Sequence, residues 1–255
     1  MKAFFLKHKE ALLRISAALL ALLVWQLANL ALGQQLFLAS PVTVAKKLLE
    51  LMGTGEFYLT LGRSLLNIVI GFVCAAAVGS ALGALSYKSN AAKVLLRPYI
   101  SVIKATPVAS FIILVLILWG ARRLSAIISF LMVLPVFYTN VLEGLRSVEP
   151  ERFEAAAVFG MARSDRFRFI YLPYLLPYFS AACSVGLGMA WKSGVAAEVV
   201  GLAAGSIGEK LYEAKLYLDT AELFAYTAAG VLLSLALERL TLGAIRAFER
   251  KMLGE

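Results

Sequence analysis

The chain alternates between long apolar blocks and shorter polar stretches, and the blocks have the length of membrane spans. A helix needs about 20 mainly apolar residues to cross a bilayer. Six segments qualify, roughly 15–32, 65–85, 99–120, 125–142, 174–191 and 223–245. The third is the least uniform, because Lys104 and Pro107 interrupt its start and leave only the short apolar core VASFIILVLILWG. The second carries Gly71, Ala75, Gly79 and Gly83, a small residue at every fourth position. That spacing puts all of them on one helical face and predicts a seam where another helix approaches closely. Spacing alone leaves open whether the partner helix belongs to the same chain. The pattern predicts an all-α polytopic membrane protein of about six transmembrane helices.

Between the fourth and fifth blocks, residues 143–173 form the longest of the connections expected on the cytoplasmic side. Local signals predict a short helix inside it. Ser147 is placed to cap it, Pro150 suits its first turn, and Glu149 and Glu151 suit the positive end of a helix dipole. The run 152–159 has good helix formers and Gly160 can end it. Phe153, Ala156, Ala157 and Gly160 then share one face, a small-residue surface with an aromatic knob suited to a partner's groove. The following SDRFRFIYLPYLLP alternates basic and aromatic residues, as expected of a membrane-interface lead into the fifth block through Pro173 and Pro177.

Composition agrees: 61% of the 255 residues are hydrophobic, more than one water-soluble core could hide. The first apolar block has no small-residue cleavage site and is followed by more such blocks, so it is expected to be retained rather than removed as a signal peptide. Cys74 and Cys183 lie apart within apolar blocks and read as packing residues, with no disulfide or metal site implied. The single histidine, His8, is in the polar N-terminus, which argues against histidine-based catalysis or a metal cage.

The net charge of +9 is informative through its distribution. Basic residues concentrate in the N-terminus (Lys2, Lys7, Lys9, Arg14), around the second connection (Lys88, Lys93, Arg97, Lys104), in the fourth (Arg146, Arg152, Arg163, Arg166, Arg168) and in the C-terminus (Arg239, Arg246, Arg250, Lys251). Positive charge marks cytoplasmic loops. Both termini and the fourth connection are therefore expected in the cytoplasm. The expected layout is a cytoplasmic N-terminus (1–14), one transmembrane domain (15–245) that includes the cytoplasmic loop 143–173, and a cytoplasmic C-terminus (246–255). Topology accounts for the basic excess, so no nucleic-acid partner is expected.

Several polar side chains fall near block ends. Lys104, Thr106, Asn140, Trp191, Lys192 and Glu198 are candidates for a substrate pathway, since polar groups at membrane depth are functional by default. Lys104 and Lys192 could attract an anion, or could simply snorkel to the interface. Gln26 and Asn29 suit interhelical hydrogen bonds, and Pro107 and Pro135 suit helix bends.

The loop also carries a specific motif. Glu154-Ala155-Ala156, then Gly160, Ile170 and Leu172-Pro173 match at every fixed position the E-A-A, G, I, L-P pattern in the cytoplasmic loop of permease subunits of bacterial ATP-binding-cassette importers, which this chain therefore resembles. The stretches SPVTVAKKLLELMGTGEFYLTLGRSLLNIVIGFVCAAAVGSALGAL and AWKSGVAAEVVGLAAGSIGEKLYEAKLYLDTAELFAY are similar to the nitrate/sulfonate/taurine-type permeases. The second includes Ala197-Glu198 and Asp219. It departs from the type at Ser206-Ile207-Gly208, where Gly-Leu-Gly is more familiar. Together the similar regions run from about Ser40 to Leu253.

The resemblance implies a type I importer-like fold in the bacterial inner membrane and a set of partners. A second permease chain, as a homodimer, would complete the pore. Two ATP-binding subunits would dock below it, and an extracytoplasmic binding protein would deliver the solute to a pore in the lipid bilayer. Docking would fall to the coupling helix with Glu154, Ala155, Ala156, Ala157, Gly160 and Ser164, with Ile170, Leu172 and Pro173 joining it to the fifth span. The chain has no G-x-x-x-x-G-K-[ST] phosphate loop. ATP and magnesium are therefore expected on the partner subunits, with no cofactor on this non-catalytic chain. The implied solute is a small anion such as a sulfonate, taurine, nitrate or bicarbonate. An ion-gradient-driven secondary transporter would call for buried Asp, Glu or His within spans, which these apolar cores nearly lack. A non-transporting membrane scaffold has no positive feature in its favour.

Overall fold

The computed structural model describes residues 2–33 and 38–253. Residues 254–255 of the expected C-terminal tail lie outside that set, as do the side chains of the basic N-terminal flank and of His8. Regular structure among the described residues is entirely helical: α1 (Lys2–Leu32), α2 (Pro41–Met52), α3 (Gly55–Lys88), α4 (Asn90–Ala105), α5 (Val108–Trp119), α6 (Leu124–Arg146), α7 (Pro150–Val158), α8 (Arg163–Arg166), a π turn (Phe167–Tyr171), α9 (Leu172–Gly201), α10 (Ile207–Leu216) and α11 (Thr220–Leu253).

Four helical stretches have the length and apolarity of a membrane span: Gly55–Lys88, Leu124–Arg146, Arg163–Gly201 and Thr220–Met252. They contain the second, fourth, fifth and sixth predicted blocks and extend past them with polar ends. The first block corresponds to a shorter apolar helix, Ile15–Ala31. The third is not a straight span. It breaks between α4 and α5, which together make a fifth candidate bent by 100°. The break itself has a local cause, although the angle does not: Pro107 has no N–H to continue the ladder, and its ring pushes Thr106 into an extended conformation with ψ 129°.

The chain divides into two compact units. The first comprises residues up to Tyr58 together with Lys210–Ala229. Its core holds Ala39, Val44 and Ala225, flanked by Trp25, Leu48 and Phe224. The Trp25 and Phe224 rings lie 5.3 Å apart. The Trp25 indole N–H donates to the Ala39 carbonyl (3.0 Å) and the Asn29 amide donates to the Leu38 carbonyl. Asn29 thus fastens the chain that follows α1 rather than bridging to another helix. Ionic contacts complete the unit: Lys47 pairs with Asp219 (3.2 Å) and Glu222 (3.1 Å), and Lys210 with Glu56 (2.8 Å) and Glu213 (3.1 Å).

The second unit comprises Leu59–Glu209 and the chain from Gly230 onward. Helix α6 is its centre, with Ile128, Val133, Phe137 and Leu124 fully buried. The predicted small-residue seam packs here, inside one chain. A Cβ on Gly79 would lie 2.8 Å from the Leu134 carbonyl oxygen and from the Phe137 Cβ, and one on Gly83 would lie 2.9 Å from the Tyr138 oxygen. Gly71 likewise abuts Ala126 and Ser129, and Ala75 is fully buried. Gly186 and Gly194 bring α9 onto the same region, against Val133, Phe137 and Ser129 of α6 and Ile68 and Phe72 of α3. Of the two cysteines, Cys183 is buried as expected, whereas Cys74 is exposed. Cys74 lies off the α3 face that carries the glycines and is not packed in the core of the described residues.

Candidate functional site

The loop after α6 folds into a short helix with a defined stop. Ser147 does not cap it. That residue closes α6, its hydroxyl on the Gly144 carbonyl (2.9 Å), and Glu149 stands at the N-cap of α7 with Pro150 in the first turn. At the other end Gly160 has φ +61°, its N–H donates to Ala157 (3.1 Å) and the Met161 N–H donates to Ala156 (2.9 Å). This six-to-one and five-to-two pair is a Schellman stop, which requires the left-handed conformation that glycine adopts without a Cβ penalty. Its accompanying hydrophobic contact is present, with Met161 and Phe153 against the cluster of Val148, Ala156 and Ile170.

That cluster corrects the expected docking face. Ala156 is 2% exposed and Phe153 lies 5.2 Å from the Tyr171 ring, so the Phe153–Ala156 side faces this chain's own core. The reason is tertiary: Val148 and Ile170 supply the apolar cover. The outward surface is instead Glu154, Ala155, Ala157, Val158, Phe159 and Gly160. Val158 and Phe159 are 82% and 83% exposed, a bare apolar tip beside a carboxylate.

The helix is tied to the spans behind it. Arg152 donates to Glu149 (3.2 Å) and lies over the Tyr174 ring at 5.3 Å. Ile170 and Leu172 are buried, so the motif's loop-to-span residues anchor it to α9. Ser164 is exposed in α8, and the π turn closes with the Leu172 N–H on the Phe167 carbonyl, just before Pro173 removes the next ladder donor. The lead that reads as interfacial in sequence is therefore continuous helix. Arg168 does not simply reach outward, because it donates to the Met252 carbonyl near the end of α11 (3.2 and 3.1 Å).

The pathway candidates do not converge on one point. Lys104, exposed at the end of α4, donates to Thr139 on α6 (2.9 Å), one position from Asn140. Asn140 bonds the Val136 carbonyl (2.9 Å) and Thr106 the Val102 carbonyl (2.8 Å), both local backbone contacts. Trp191 is 8% exposed and faces Gly230. Lys192 is exposed about two thirds of the way along α9.

Glu198 lines no open path: it is completely buried. One carboxyl oxygen accepts from the Ser64 hydroxyl (2.7 Å) and the Gly208 N–H (3.4 Å), and the Ser64 oxygen accepts the Ile207 N–H (2.9 Å). A serine on α3 and a glutamate on α9 thus hold the start of α10. The first turn of that helix offers free N–H groups, and the Glu198 carboxyl takes one of them through one oxygen, while its other oxygen has no hydrogen-bond partner among the described residues.

The family described as "Binding-protein-dependent transport system inner membrane component" matches residues 59–254. The chain belongs to this family. The permease is 29% identical over 241 residues to a taurine transport system permease protein of Escherichia coli (strain K12), covering 92% of this chain and 86% of the relative. It is 28% identical over 234 residues to an aliphatic sulfonates transport permease protein of Bacillus subtilis (strain 168), covering 90% and 82%. It is 28% identical over 204 residues to a nitrate import permease protein of Synechocystis, covering 76% and 74%. Its fold matches a crystal structure of an amino acid ABC transporter with histidines, at a TM-score of 0.54 and 21% identity, over 77% of this chain and 94% of the other. The permease is thus an all-helical membrane protein of the ABC importer type. Sequence reasoning found its loop motif but missed the exposed pair Val158-Phe159; their signal was two large apolar residues directly before the helix-stopping Gly160.

Proposed function

We propose that this permease forms the translocation path of an ATP-driven importer for a small anion, in the class of sulfonates, taurine, nitrate or bicarbonate. Support for the solute class comes from the taurine, aliphatic sulfonates and nitrate permeases it is related to. A second copy completes the pore, an extracytoplasmic binding protein delivers the solute, and two separate ATPase subunits bind ATP and magnesium. Both termini and residues 143–173 face the cytoplasm of a bacterial cell, where those ATPases dock. This chain holds no cofactor and catalyses no reaction.

The observation that carries the reading is the outward face of α7, where Glu154, Ala155, Val158 and Phe159 project next to the Gly160 stop. Ala156 and Ile170 clamp the same helix to α9, so a push on the tip is transmitted to a spanning helix as a rigid-body movement. Glu154 supplies a polar contact, Ala155 and Ala157 allow close approach, and Val158-Phe159 fills an apolar cleft. Ser164 extends this surface. The pathway assignment of Lys104, Thr106, Asn140 and Lys192 stays with this proposal; Lys192, exposed along α9, is the one best placed to meet an anion.

The test is Gly160→Val. A β-branched side chain at φ +61° strains the stop by roughly 1–2 kcal/mol. Uptake is expected to fall at least tenfold, while the chain still assembles in the membrane and the ATPase still turns over. A Gly160→Val variant with normal uptake would refute the docking assignment.

A further inference from the structure

We propose that the permease itself carries an oxyanion-binding pocket, built by Arg63 and Arg122 and separate from α7. A cavity of about 610 Å³ in the second unit is lined by Arg63, Leu66, Asn67, Arg122, Ala203 and Ser206, among others. Both guanidinium groups are exposed, and neither makes an ion pair or hydrogen bond with any described residue. That sets them apart from Lys47 and Lys210, each of which has two carboxylate partners. No carboxylate is among the described residues that line the cavity. The nearby acids are committed elsewhere: Glu198 is buried on Ser64, and Glu209 accepts the Gly205 N–H (2.5 Å).

The surrounding backbone is shaped to leave this space. Leu202 and Gly205 have φ of 49° and 69°, and a Cβ on Gly205 would run into the Arg63 guanidinium. The positive φ favours glycine at this position, and the lack of a Cβ lets the loop pass under that side chain. The Glu198–Ser64–Ile207 bonds pin the loop beside α3, which fixes the floor on which Arg63 lies. Asn67 stands one turn beyond Arg63 on α3 and adds an amide donor. Two planar donor forks and an amide around one concave space match a tetrahedral oxyanion, sulfonate or phosphate.

Choosing sulfonate as the probe rests on the anionic-solute reading above; the pocket's uncompensated charge does not. The same chemistry fits the phosphodiester of an anionic lipid, and the experiment separates the two sources. The full chain, purified in neutral maltoside detergent, is titrated calorimetrically with ethanesulfonate. It is then reconstituted in nanodiscs with and without phosphatidylglycerol, and lipid retention is read by native mass spectrometry. Saturable ethanesulfonate binding is expected, weakened about tenfold or more by Arg63→Gln and by Arg122→Gln and abolished in the double variant. Lys46→Gln, at an exposed position on α2, should bind like wild type. Arg63→Lys keeps the charge without the fork and should fall between; it also serves if the glutamine variants unfold. If ethanesulfonate does not bind but wild type retains phosphatidylglycerol more than the double variant does, the pocket stands and its anion is a lipid headgroup. Equal behaviour of wild type and double variant toward both anions would overturn the proposal. Failure of the importer reading would show separately, as absence of ATP-coupled uptake by wild type with its ATPase.

Discussion

Lys47 shows how a single side chain ties distant sequence together in this permease. It lies between Asp219 and Glu222, with 27% of its own side chain exposed and 38% and 24% of theirs. Burial disfavours its charge, but the hydrogen bonds it donates to Glu222 and Asp219 outweigh this and hold the ammonium above the ordinary lysine range. Burial alone would raise Asp219, yet the Glu222 N–H and the Lys47 ammonium hold it below the ordinary aspartate range. A depressed carboxylate contributes stability above its unfolded value and loses it as pH falls through the folded one. A raised lysine contributes below its unfolded value and loses that contribution as pH rises through the folded one. The cluster therefore works between roughly pH 4 and pH 10. Lys47→Met should lower stability by about 1 kcal/mol at pH 7, a value kept small because these groups are partly solvated. Thermal unfolding in detergent at pH 7 and near pH 3 checks this, and the gap between variant and wild type should close at the acid end.

At the level of elements, the seam on α3 was legible because the spacing of Gly71, Ala75, Gly79 and Gly83 reports close approach directly. What spacing could not report was the partner, α6, whose contacting residues run from Ala126 to Leu142, far along the chain. The prediction follows from the geometry. A methyl group at Gly79 meets backbone and Cβ atoms at 2.8 Å, with no flexible side chain to give way, so Gly79→Ala should destabilise by about 1–3 kcal/mol. Gly62, on the same helix, has open space where a Cβ would stand, with nothing within 4 Å, so Gly62→Ala should instead stabilise by roughly 0.5–1 kcal/mol. Unfolding midpoints of the two variants moving in opposite directions would verify the seam; parallel shifts would discount it. Other elements were less legible for physical reasons. Lys104 and Pro107 signalled trouble in the third block, but the 100° turn depends on how α4 and α5 each pack on α6. Half of the expected α7 face, Phe153 and Ala156, turned inward while Ala157 and Gly160 stayed exposed, because a stripe of Phe153 and Ala156 looks the same whether its cover is a partner or Val148 and Ile170. Glu198 read as a polar residue near a span end, since its partners Ser64 and Gly208 are set by tertiary contact alone.

For the whole molecule, the decisive question is which way the chain is oriented in the membrane, because the proposed docking tip and the proposed arginine pocket depend on it. The charge bias predicts a cytoplasmic location for residues 143–173, and the expected topology would then put the turn before α11 outside. Two exposed apolar sites report on the two sides: Phe159, 83% exposed at the end of α7, and Tyr217, 82% exposed after α10. Cys74 is itself exposed, so labelling needs a Cys74→Ser background; Cys183 is buried and can stay. In intact spheroplasts a membrane-impermeant maleimide should modify Tyr217→Cys and leave Phe159→Cys untouched, and in inside-out vesicles the pattern should reverse. Co-expression of the partner ATPase should then shield Phe159→Cys in those vesicles, because the same residue would be seated in its cleft. Labelling of Phe159→Cys from outside would turn the bundle over and remove α7 from any cytoplasmic engine. Reversal between the two preparations without shielding would keep the orientation and move the contact elsewhere on the loop.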